Sequence, residues 1–236
     1  MATIQSTESD LQDAIHTLYE VDATTPASTD DDYLLRRRLI NIAINRWEKN
    51  MGILWNELWT NTTLNSTGAV LTLSTTTTIY AAPDAFVFAG GFVRITDGTD
   101  TLSTIAVIKP EEAQINTNRL AAYFTGNPKT GYDLNLTQEP GDSLNGKILE
   151  YDYYKMASAS TLTTDIPEMS DPYYIVYAVV AELHKGDNNI NLYQTALQEA
   201  EERIKQMVMK NTMYSNYQDQ GIQDQQYIST GGVFGN

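Results

Sequence analysis

Apolar residues first recur at helical spacing at Leu11, Ile15 and Leu18, behind a Thr7 or Ser9 able to cap the helix, and "ATTPAST" ends the run. A second helical pattern opens on Asp30–Asp32 as capping residues. It steps through Leu35, Leu39, Ile42, Trp47, Met51, Leu54, Trp55 and Leu58. Taken from Asp32 to Trp59, it predicts a strut of roughly 40 Å at 1.5 Å per residue. Gly52 weakens such a helix by about 1 kcal/mol relative to Ala and marks a place for a bend or a close contact. Trp47, Trp55 and Trp59 all fall on this stretch, and their phase with Leu54 and Leu58 predicts core packing.

The pattern changes from Ala69 to Tyr154, where Thr, Val, Ile and Tyr gather in short runs separated by turn residues: "AVLTLS", "TTIY", "AFVF", "FVRIT", "LSTIAVI", "YDLNLT" and "KILEYDYY". "TDGTD" at 96–100 reads as a hairpin tip, because Asp-Gly accepts the positive φ of tight hairpins. A short helix from Pro110 to Arg119 is expected to interrupt the strands, with Glu111 and Glu112 in its first turn.

In "DIPEMSDPYYIVYAVVAELHKGD" the composition is aromatic and β-branched, yet the caps indicate a helix. Asp171 is a good N-cap, Pro172 suits the first helical position, and Gly186 offers a left-handed stop. Asp187 then opens a helix through Ile190, Tyr193, Leu197, Ile204 and Met207, with Glu199–Arg203 and Glu201–Lys205 as i,i+4 pairs on its exposed side. The final residues have no apolar periodicity and are expected to gain order only from a partner. Together these patterns predict an α+β fold. Its parts are a helical bundle of N-terminal helices plus a C-terminal helical hairpin (residues 1–62 and 165–212), an inserted small antiparallel β-sandwich or barrel (63–164), and an extended C-terminal docking tail (213–236).

Composition removes several functions. A net charge of −15 argues against gripping nucleic acid, which needs clustered Lys and Arg to displace counterions. No apolar run reaches the roughly 18 to 20 residues of a membrane span, and no signal peptide is apparent, so a soluble protein made in the cytoplasm is expected. With no cysteine, there is no disulfide framework, thiolate metal site or cysteine nucleophile. Residues 1–32 carry acids and no Lys or Arg, whereas Arg36, Arg37, Arg38, Arg46 and Lys49 follow closely. Asp30, Asp31 and Asp32 could therefore pair with Arg36, Arg37 and Arg38 of a neighbouring subunit; a solvated acidic start before a basic helix face is the alternative.

No pattern for catalysis, cofactor binding or a metal centre emerges. His16 and His184 sit near helix ends without a ligand motif, and neither a phosphate loop nor a GxSxG elbow is present. The close carboxylates Glu111 and Glu112, or Asp97 and Asp100, resemble solvated pairs more than a glycosidase dyad.

The order of segments does point to a family. A helical start, a β-region containing "TIYAAPDAFVFAGGFVRITDG", a strand ending "ILEYDYYKM" and then "DIPEMSDPYYIVYAVVAELHKGDNNINLYQTALQEAEERI" together resemble the head-to-tail adaptor (connector) proteins of tailed bacteriophages. "APDAF", Ala82 to Phe86, looks like that family's "LPxDF" segment, with Ala82 where a larger apolar residue is usual. The resemblance implies a virion structural protein, not an enzyme, that forms a dodecameric ring at the head–tail junction. Such a ring binds the portal above and a tail nozzle or tube protein below, and lets DNA pass without specific binding. Tyr214, Tyr217, Tyr227 and Phe234 are then the expected anchors of the tail on the portal or a neighbouring subunit. The alternative is a carbohydrate-binding or wall-degrading tail-associated module; the first requires Trp47, Trp55 and Trp59 on one exposed face, and the second requires turnover that depends on Glu111 or Glu112.

Overall fold

The computed structural model describes residues 6–20, 25–115 and 118–230. The chain divides into two compact units. A helical unit is formed by residues 1–57 and 157–236, and a β-unit by residues 58–156.

In the helical unit, α1 (Glu8–Tyr19) opens with a capping box. Thr7 and Asp10 each bond the other's backbone N–H. The orphan N–H groups of Glu8 and Ser9 donate to the carbonyls of Asp165 and Thr163, which fastens the helix start to the loop before the C-terminal hairpin. Helix α2 (Asp31–Glu48) follows, and the predicted strut to Trp59 ends here. Gly52 takes φ +70, in the left-handed region, and single 3₁₀ turns at Asn50–Gly52 and Asn56–Leu58 carry the chain onward. The buried face of α2 is Tyr33, Arg36, Ile40, Ala43, Ile44 and Trp47. Leu35 and Ile42, expected in the core, are 48% and 39% exposed.

The β-unit contains β1 (Trp59–Thr62), β2 (Ile79–Ala81), β3 (Phe86–Thr96), β4 (Thr101–Ala106), the single turn α3 (Pro110–Ala113), β5 (Ala122–Asn127), β6 (Gly131–Leu136) and β7 (Ile148–Lys155). Two antiparallel sheets form, in the orders β1-β7-β3-β4 and β2-β6-β5, and both are open. They share one core that includes Leu71, Val93, Ile95, Leu134, Leu149 and Tyr151. The "TDGTD" hairpin joins β3 to β4, with Gly98 at φ +98. The helix expected to reach Arg119 stops at Ala113. Trp59, assigned by its spacing to the strut, instead begins a strand paired with β7.

The C-terminal hairpin consists of α4 (Tyr173–Gly186) and α5 (Ile190–Thr230). Asp171 accepts the Tyr173 N–H at 3.1 Å, and Pro172 holds the cap position. The left-handed residue that turns the chain is Asn188, at φ +57, and not Gly186. Ile175, Val176 and Val179 are fully buried. Arg203 does not pair along its own helix with Glu199. It reaches back to Asp171 at 2.8 Å and lies over the rings of Tyr173 and Tyr177. The segment expected to be an extended tail continues α5 as helix through Thr230.

Candidate functional site

Each residue proposed for subunit pairing has a definite place. Arg36 is buried, bonding Glu20 at 3.1 Å and the His16 Nδ1 at 3.2 Å. Arg37 donates through Nε to Glu8 at 2.7 Å, and the Glu8 side chain is wholly buried. Arg36 and Arg37 therefore have acidic partners within their own chain, Glu20 just past the end of α1 and Glu8 in its first turn. Asp31, Asp32 and Arg38 remain exposed, and Asp30 accepts the Ala27 N–H at 2.9 Å.

The lock between α1 and α2 carries more polar atoms than partners. Glu8 Oε2, Gln12 Oε1 and the Tyr33 hydroxyl are buried without a hydrogen bond. Burial pushes the Tyr33 phenol up. At the far end of α1, Tyr19 donates to Asp187; this bond pushes the Tyr19 phenol up to about 12, and the ring rests 5.1 Å from His184. His16 is therefore a hydrogen-bonding residue and His184 a packing residue. Among the described residues no cluster of His, Cys, Asp or Glu can hold a metal ion, and no helix is long and apolar enough to cross a membrane.

The carboxylates considered for hydrolysis are spread along turns. Glu111 and Glu112 lie exposed on α3. Asp97 caps the β3–β4 hairpin by accepting the Thr99 and Asp100 N–H groups, which hold its carboxyl below the usual range. Trp47 and Trp55 stack at 5.2 Å and are buried, so the flat face of three tryptophans is not formed.

A surface that the sequence did not reveal lies on the β-unit. Strand β3 reads "FVFAGGFVRIT", and its register with β7 slips between Ala89 and Val93. Ala89 faces Tyr153 and Val93 faces Tyr151, so Gly90, Gly91 and Phe92 stand opposite Asp152 alone. Three against one preserves the in-out alternation. Ala89 and Val93 point to the core while Phe88 and Phe92 stand out, 57% and 64% exposed. Trp59 lies across Gly90 with its edge on Tyr154 at 4.7 Å. A Cβ on Gly90 would come within 2.9 Å of the Trp59 ring and 3.3 Å of the Asp152 carbonyl, which is why glycine stands there.

The strands also part here. Strand β4 pairs with β3 only over Phe92–Thr96. Val107 then donates to the Gly91 carbonyl and Ile108 to that of Ala122, so the chain crosses to the second sheet. The first half of β3 is left with β7 on one side and an open cleft of about 730 Å³ on the other. Phe86, Phe124 and Tyr132 line it, with Phe86 stacked on Phe124 at 4.6 Å. Val87, Phe88 and Lys109 stand exposed along it. An apolar cleft beside an unpaired strand edge can accept an extended peptide, by backbone pairing and by filling the pocket with a side chain. Among the expected tail anchors, the backbone at Tyr214, Tyr217 and Tyr227 belongs to α5, and Phe234 lies outside the described residues.

Compared with protein-family models and with curated proteins, the chain matches none.

Proposed function

We propose that this chain is a structural protein of a bacteriophage virion, a head-to-tail adaptor. Copies made in the host cytoplasm assemble into a ring at the head–tail junction, join the portal to a tail nozzle or tube protein, and leave a channel for DNA. The observation that carries the reading is the order of elements. A helical unit is interrupted by a β-unit and resumes as a hairpin whose second helix runs 41 residues, the arrangement implied by the resemblance of the sequence to connector proteins. The exposed aromatics of β3 support it, since large apolar side chains left in water on a folded unit mark surfaces that assembly covers. The net charge of −15 suits a conduit, because a wall that repels phosphates does not retain DNA. In this reading the backbone at Tyr214, Tyr217 and Tyr227 is helical, in place of the extended docking tail.

The test is assembly. Purified full-length protein is weighed by sedimentation and imaged by negative stain, alone and with portal-bearing heads. Dodecameric rings, or attachment to the portal vertex, are expected; a monomer at high concentration that never binds heads overturns the adaptor reading.

A further inference from the structure

The open edge of β3 calls for an occupant, and the chain itself contains one that fits. We infer that the cleft beside Phe86–Gly91 is the seat for residues 231–236, "GGVFGN", of a second copy of this chain, added as a short strand along the edge that β4 leaves free. This deepens the ring reading above and rests on it.

Several observations converge on this segment. Phe86 donates to the Pro83 carbonyl and the Gly91 carbonyl accepts Val107, so the free edge runs from Val87 to Gly90, a length that the central residues 232–235 of the segment can line. Residues 231–236 carry no charge, so they meet no repulsion from a protein whose net charge is −15. Their apolar residues are Val233 and Phe234, which point to opposite faces of a strand. Phe234 can therefore enter the pocket of Phe86, Phe124 and Tyr132 while Val233 covers the outer side of β3. Gly232 and Gly235 flank that pair, and with Gly90 at one end of the free edge, two backbones can approach closely there.

The donor is a second copy because of the helix that bears the segment. Helix α4 has 14 residues and α5 has 41, so at 1.5 Å per residue α5 overshoots its partner by roughly 40 Å. A tail seated in the next copy's cleft is a heterologous contact, the kind that repeats around a ring when the rotation closes.

The test uses a fluorescent peptide of residues 227–236 and the otherwise full chain lacking 231–236. Saturable binding is expected. It should weaken about thirtyfold, as for the loss of a central aromatic anchor, when Phe234→Ala is made in the peptide or Phe88→Asp in the chain. Ile79→Asp, an equally exposed position on β2 away from the cleft, should bind as the parent does. Absent binding, or binding indifferent to Phe88→Asp, overturns the seat.

Mass measurements on full-length chains separate this from the ring reading. Phe88→Asp and Phe234→Asp should each lower the assembly state, and a mixture of the two variants should give dimers through the one intact contact. Peptide binding by a wild-type chain that stays monomeric would sink the ring and the second copy while leaving the cleft as a peptide site. Rings that form unchanged in both variants would sink the seat and leave the adaptor reading standing.

Discussion

The two units of this chain differ in their buried charges and their exposed rings. The helical unit draws polar groups inward: Glu8, Gln12, His16 and Arg36 are all at most 4% exposed. The β-unit pushes rings outward, with Phe92 at 64%, Phe88 at 57% and Trp59 at 41% exposed. Buried ions add little net stability compared with apolar residues of the same volume, but they penalise any arrangement that separates them. Such a lock suits a unit that must hold one shape by itself. Exposed rings contribute little until something covers them. In the proposed function, the helical unit holds its shape and the face of β3 serves recognition.

The most severe way to break the helical side is Val176→Asp. Val176 is fully buried on α4, and an ionised carboxylate there has no partner, at a cost of several kcal/mol. The helical unit should fail to fold, seen as lost helical circular dichroism and lost emission from the buried Trp47–Trp55 pair. The β-unit has its own core and should keep its strand signal. Unchanged melting would mean that this face of α4 is not the core.

Next in size is Glu8→Gln, which keeps the shape and removes the charge opposite Arg37. Losing a buried charge-assisted hydrogen bond should cost about 1–3 kcal/mol, read as a lower melting temperature of the helical unit alone. Equal melting of wild type and variant would remove the Glu8–Arg37 pair from the comparison and leave α1 held by its apolar face and its remaining hydrogen bonds.

This lock also marks where the sequence stops being readable. Spacing and caps reveal α1, the Asp97–Gly98 hairpin and the apolar α4, because each depends on neighbours within a turn or two. The phase of α2 is hidden. Hydropathy ranks Leu35 above Arg36, yet Arg36 is inside because Glu20, sixteen residues upstream, arrives to neutralise it. The end of α2 depends on Gly52, a residue that a helix can tolerate, adopting a positive φ. The helical continuation beyond Thr212 has no apolar stripe to announce it. The cleft was the least legible feature. It exists because the chain leaves one sheet at Val107 for the other, and "AFVF" and "FVRIT" look like two strands until Gly90 and Gly91 are seen to bulge within one.

Acid separates the units more gently. Glu182 on α4 accepts a 2.8 Å bond from Arg46 of α2, which holds its carboxyl below the usual range. A carboxylate with a depressed folded pKa stabilises above its unfolded value, and that contribution disappears as pH falls through the folded pKa. Asp165, whose carboxylate accepts the Thr161 and Leu162 N–H groups, is depressed in the same direction in the loop that fastens α1. Melting of the helical unit should hold steady above about pH 5 and decline below about pH 4.5. Because Arg46 is mostly exposed, Glu182→Gln should remove only a minor part of that slope. A slope identical in the variant would assign the acid sensitivity to other carboxylates.

The smallest effect tests the outward-facing side. Phe86 and Phe92 lie on the same strand, yet Phe86 is 3% exposed and stacked on Phe124, whereas Phe92 stands 64% in water. Phe86→Ala should cost about 3–5 kcal/mol in the β-unit, as for a truncated core aromatic. Phe92→Ser should change melting by less than about 0.5 kcal/mol, because it removes little that folding has buried. If Phe92 belongs to a surface covered by assembly, the same substitution should shift the concentration at which larger species appear in sedimentation, while the monomer's melting stays put. A Phe92→Ser protein that melts like wild type and assembles like wild type would make this ring an idle exposure, and the recognition face would contract to the cleft edge at Val87 and Phe88.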